Sequence, residues 1–179
     1  MTKLLATLVL VVGCGTTGVE GAQTVEPRGR LELALGGATE AQVNAAALAV
    51  SDWTEATGGY FSPTVNWAEG RELTGLIPGV RLVPAAELGG EPNVTLLDSA
   101  APPVILVRDD LGPAELRVAV AHELGHALGL GAADRGLMCD APVIGDGTAL
   151  DSFTAGNYLA LRGEPPVTVA GVPDARPCQ

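Results

Sequence analysis

Apolar residues change their period several times along the chain, and each change marks an expected element. Leu31, Leu33 and Leu35 alternate with Arg30, Glu32 and Ala34, the two-residue period of a half-buried strand, and Gly36-Gly37 ends it. Thr39-Glu40-Ala41-Gln42 has the spacing of a capping box, with Thr39 at the N-cap and Gln42 at N3. Val43, Ala47, Val50 and Trp53 or Thr54 follow at helical spacing, which predicts a helix to Thr57, just before Gly58-Gly59. Between residues 60 and 100 the apolar runs are short and cut by Pro63, Pro78, Pro84 and Pro92. Thr64 to Ala68, Val80 to Val83 and Val94 to Leu97 read there as short strands or irregular hairpins. Val104 to Val107 is a compact strand run after Pro102-Pro103. Gly112-Pro113 opens a second helix, with proline at N1 and Glu115 in the first turn. Its buried face is Leu116, Val120, Leu124 and Ala127, and Gly129 stands where it ends. Asp151 or Ser152 caps a third helix carrying Phe153, Tyr158 and Leu161, closed by Gly163 and Pro165-Pro166.

The N-terminus follows a different logic. Leu4 to Val12 is an unbroken apolar run after Lys3, far short of the roughly 20 residues a spanning helix needs. Its length and flanks fit the apolar region of a bacterial export signal. Val11-Val12-Gly13-Cys14 resembles a lipobox, which implies that Cys14 becomes the lipidated first residue of the mature protein. The alternative is a cleaved secretory signal in which Cys14 is incidental. Gly15 to Arg28 is rich in Gly and Thr and has no hydrophobic period. The expected organisation is a lipoprotein signal peptide over 1–13, a flexible tether over 14–28 and one domain over 29–179. The protein is then exported and lipid-anchored to a bacterial membrane, on its periplasmic or cell-surface side.

Composition agrees with a single folded domain. The chain has 179 residues, 47% hydrophobic and 17% charged, enough to bury a core. Aromatics are only 3%, so Val, Leu and Ala must build most of that core. Asp and Glu outnumber Lys and Arg by 21 to 10, a net charge of -11. Such a polyanion has no electrostatic attraction to nucleic acid or to anionic membrane surfaces. With Cys14 acylated, Cys139 and Cys178 remain, an even number suited to a disulfide in an oxidising compartment. Two free buried thiols are the other reading.

The chemistry concentrates in His122-Glu123-Leu124-Gly125-His126-Ala127-Leu128-Gly129. Helical positions four apart lie on one face, so the two histidines of the chain can grip one metal ion. Glu123 stands beside them, where a carboxylate can take a proton from water that zinc has acidified. Gly129 lets the chain turn back beneath the metal, and Met138 follows nine residues later as a soft side chain to pack there. HELGHALGLG followed by GLMCD closely resembles the metzincin clan of zinc endopeptidases, nearest to its matrix-metalloprotease-like branch, with Met138 in the Met-turn position. The motif spans residues 122 to 140.

The resemblance implies an α+β zincin domain: a mixed, mainly parallel twisted sheet, two long helices and a C-terminal helix. It also implies a Zn2+ cofactor, Glu123 as general base, and a protein or peptide substrate bound extended by a monomeric enzyme. The strand Val104 to Val107 is then the expected upper rim of the cleft. One position departs from the pattern. The family's third zinc ligand falls ten residues after the first histidine, which here is Ala132. Asp134, two residues further, is the expected substitute, since a His₂-carboxylate set is chemically competent. Asp140, a Cys139 thiolate, or no third protein ligand are the alternatives. The competing classes are a catalytically inactive metzincin-scaffold lipoprotein that serves as a binding module, and an amidase acting on a non-protein amide.

Overall fold

In a computed structural model the described residues are 9–11, 22–88, 93–139 and 150–178, the first three by backbone alone. Strands β1 (Val9–Val11) and β2 (Arg30–Ala34) precede helix α1 (Glu40–Ala56). Strands β3 (Thr64–Trp67), β4 (Gly79–Val83), β5 (Asn93–Leu97) and β6 (Val104–Arg108) follow, then helices α2 (Pro113–Ala127) and α3 (Ser152–Leu161). The expected elements are present with ends that shift by a residue or two. The class is α+β, with a mostly parallel sheet and three helices.

Five strands lie in the order β5-β6-β4-β2-β3, and β1 adds outside β5. The β6-β4, β4-β2 and β2-β3 pairs are parallel, whereas β5 runs antiparallel to β6. Sheet residues Leu31, Leu33, Val80, Leu82, Ile105 and Val107 all face one side, where α1 and α2 bury them. Alternate positions point to the other side, and there Val83, Leu88 and Val94 make a smaller cluster with Leu96 and Leu106.

The predicted capping box forms: Gln42 N–H donates to Thr39 Oγ1 at 3.3 Å and Thr39 N–H to Gln42 Oε1 at 2.9 Å. The Gln42 amide also donates to the carbonyls of Asp109 and Leu111, at 3.0 and 3.1 Å, which ties the start of α1 to the loop leading into α2. Trp53 is the main joint between the helices. Its indole Nε1–H donates to the Ala121 carbonyl at 3.0 Å, and its ring meets Phe61 and Tyr158 edge-on at 6.3 and 5.7 Å. One polar contact reinforces that joint, since Arg117 Nε donates to the buried Asp52 carboxylate at 2.8 Å.

Part of the segment expected as tether belongs to the domain. Val25 is fully buried in the main core, and its N–H donates to the Ala127 carbonyl at 2.9 Å. Gln23 N–H bonds Asp98 O, and Arg162 reaches Thr24 Oγ1 at 3.1 Å. One buried valine carries no hydrophobic period, so local pattern gave no sign of this docking. Residues 12–21, including Cys14 and the rest of the expected tether, lie outside the described residues.

Candidate metal centre

Helix α2 presents its last turns to the site. Proline at N1 and a bond from Gly112 N–H to Glu115 Oε2, 3.0 Å, fix where the helix starts. The positions of Leu116, Val120 and Leu124 in the core then fix its rotation. His122 and His126 consequently share a face, with ring centroids 4.9 Å apart and planes at 83°. His122 Nδ1 lies 2.7 Å from the Leu137 carbonyl, and His126 Nδ1 lies 2.9 Å from the Leu130 carbonyl. A carbonyl only accepts, so each neutral imidazole carries its proton on Nδ1 and its lone pair on Nε2. Two Nε2 donors oriented by outer hydrogen bonds suit zinc, and this half of the site fits the metal that the sequence implies.

The turn beneath the helix depends on glycine at two places. Gly129 has φ +98°, which reverses the chain after His126 and brings Leu130 N–H to the Gly125 carbonyl at 3.0 Å. Gly136 has φ +75°, and a Cβ there would fall 2.6 Å from the Asp151 carboxylate. Asp151 uses that proximity twice. It caps α3 through Thr154 N–H at 2.9 Å and accepts Leu137 N–H at 2.7 Å. The Leu137 backbone thereby bridges Asp151 and His122, its N–H to Asp151 and its carbonyl to His122. Met138 is buried directly against Gly125: a Cβ on Gly125 would overlap Met138 Sδ and lie 3.1 Å from its Cε. Met138 thus packs against α2 at Gly125, between the two histidines in sequence, and a side chain at 125 would force it to move.

Glu123 is buried beside the pair, on the side of the sheet edge. Thr95 Oγ1 lies 2.6 Å from Glu123 Oε2 and 2.9 Å from the Glu123 carbonyl oxygen. Burial pushes the Glu123 carboxyl above the ordinary glutamate value, and the Thr95 hydrogen bond and the nearby His126 oppose that rise. A raised value suits a group that must hold a proton during part of a reaction.

Two expectations change here. Val104 to Val107 is not a rim, because β6 has β5 on one side and β4 on the other, leaving no open edge. The strand next to Glu123 is β5, the antiparallel strand outside β6. Nor does the structure bring Asp134 to the histidines. Its side chain is 76% exposed and sits 3.1 Å from Arg135 Nε. The Arg135 guanidinium, by hydrogen bond first and charge second, holds the Asp134 carboxyl below the usual range. Ala132 is exposed as well. Among the described residues, no group of three or more His, Cys, Asp or Glu side chains converges as a metal site. Asp140 lies outside the described residues.

Cys139 is bonded to Cys178, with 5.5 Å between their Cα atoms, so it is not available as a thiolate ligand. The C-terminal tail is strapped along the same loop. Gly136 N–H bonds Arg176 O at 2.8 Å, and Cys178 N–H bonds Asp134 O at 2.9 Å. Thr95 and the second role of Asp151 had no sequence signal. Thr95 is one residue of a short strand 28 positions before Glu123, and Asp151 was legible only as a helix cap.

Comparison with protein-family profiles, curated proteins and solved structures gives no match for this chain.

Proposed function

We propose that the protein is an exported zinc-dependent endopeptidase of metzincin type, lipid-anchored through Cys14. The observation that carries this reading is the joint placement of His122, His126 and Glu123 on one buried helix end, with Met138 packed beneath at Gly125. The HELGHALGLG and GLMCD resemblance supports it, as does an α+β fold with a mostly parallel sheet. His122 and His126 would hold the ion through Nε2, and Asp134 is the proposed third ligand, which must leave Arg135 to serve. Bound zinc would supply Lewis acidity toward water and a substrate carbonyl. Glu123 takes the proton of the attacking water at its carboxylate and returns it to the leaving amine.

A peptide would lie extended along β5, joined by main-chain hydrogen bonds. That edge is held here by β1, antiparallel with Val11 opposite Thr95. Strand β1 falls within the expected signal peptide, so the edge would open to a peptide once residues 1–13 are removed. The Cys139–Cys178 bond suits an oxidising compartment and so supports export. One observation favours a second reading, a non-catalytic binding lipoprotein: no third ligand joins the histidines among the described residues.

Hydrolysis of an unfolded protein substrate by wild type and Glu123→Ala, at matched zinc content, tests the proposal. Turnover falls by about 10²–10⁴ in the variant if Glu123 is the base. Equal turnover rejects that assignment, and a wild type without hydrolysis leaves the binding reading.

A further inference from the structure

We propose that Thr95 is a positioning residue for Glu123, holding its carboxylate at a fixed place relative to the β5 edge on which a substrate would lie. The inference rests on the protease reading of the site. Thr95 is 1% exposed, and its hydroxyl contacts both the side chain and the carbonyl of Glu123, at 2.6 and 2.9 Å. A single hydroxyl therefore grips one residue of α2 at two points, from a strand 28 positions earlier in the chain. Both contacted oxygens can accept, so the one hydroxyl sits between the side chain and the main chain of the same residue and fixes the carboxylate relative to the helix backbone.

The backbone of Thr95 lies in the strand that pairs with β1, opposite Val11. Because β1 falls within the expected signal peptide, removal of residues 1–13 would open that edge to an extended segment. Strand and helix are linked at one residue: Thr95 belongs to β5, and its side chain holds Glu123. Val94 and Leu97 of β5 are buried apolar residues and offer no such bond. Thr95 acts through Glu123, whose carboxylate it holds.

Valine matches threonine in shape and lacks the hydroxyl, whereas serine keeps the hydroxyl and lacks the methyl. Thr95→Val and Thr95→Ser are purified with zinc content and circular dichroism matched to wild type, and kcat and KM are read separately. Thr95→Val lowers kcat by about tenfold or more and leaves KM within about twofold, because the lost bond orients the base and not the substrate. Thr95→Ser recovers most of the loss. In parallel, unfolding of the metal-free protein is measured for Thr95→Val, Glu123→Ala and the double variant. A coupled pair departs from additivity by about threefold or more in the unfolding constant. Additive unfolding, or a Thr95→Ser as slow as Thr95→Val, overturns the proposal. Coupled unfolding with no hydrolysis by wild type overturns the protease reading and with it the catalytic use of Thr95, while the contact itself stands.

Discussion

His122, Glu123 and His126 are 6%, 7% and 7% exposed, whereas the Asp134 side chain on the segment that follows is 76% exposed. The first three are placed by the packing of α2, whose other faces meet α1 and the sheet in the main core. Each also has a defined partner, Leu137 O, Thr95 Oγ1 or Leu130 O. The loop carrying Ala132, Asp134 and Arg135 is held differently. Backbone bonds to the C-terminal tail and the disulfide fix its path, while its charged side chains pair with each other and Arg135 also lies over the Phe153 ring, 5.2 Å from its centroid. The histidine side of the site is therefore organised before any ion arrives, and the carboxylate side is not. Preorganised donors bind without a rearrangement cost, so most of the affinity should come from the buried side.

The contrast is broken most strongly at the disulfide. Its loop of 39 residues implies about 4 kcal/mol of stabilisation. Cys139→Ser with Cys178→Ser should lose about that much in denaturant unfolding, because the turn at Met138 and the tail at 176–178 then separate in the unfolded chain. A loss below about 1 kcal/mol would show that the backbone bonds alone hold the loop.

Gly125 tests the buried side. Alanine is the better helix former by about 1 kcal/mol, so propensity alone predicts a gain. The Cβ would however overlap Met138 Sδ, with Trp53 Cζ2 3.4 Å away on another side. Gly125→Ala should therefore destabilise by about 1–3 kcal/mol, the usual result of overpacking. Thermal unfolding measures this, and a variant more stable than wild type would mean that Met138 is free to withdraw.

Asp134→Ala is expected to do least to stability, since an exposed pair with Arg135 contributes about 0–1 kcal/mol. Denaturant unfolding reads that. A zinc titration of the same variant should show a steep loss of affinity if the loop turns Asp134 onto the ion as its third ligand. Unchanged zinc affinity would reject Asp134 as a ligand and leave the histidine side alone to hold the metal.

What the sequence revealed follows the same division. The capping box at Thr39 and Gln42, the apolar face of α2 and the i,i+4 histidines are all local patterns, and local geometry realises them as read. Strand order is not a local property. Val104 to Val107 is as apolar as an edge or an interior strand can be, and only pairing with both β5 and β4 settles its place. Val25 shows the same limit, since a lone valine among Gly, Thr and Glu enters the core through contacts with α2 that no periodicity encodes. Asp134 lies two residues from Ala132 in sequence, but closeness along the chain does not fix where a side chain points. Its actual partner is its own neighbour, Arg135, which local electrostatics supplies at no cost in chain reorganisation.

The central claim is that the two buried histidines bind zinc as a pair. Metal analysis of the mature protein after dialysis, beside a His122→Ala/His126→Ala variant of confirmed fold, measures it directly. The account predicts about one zinc per chain in the wild type and almost none in the variant. Equal zinc in both would contradict it.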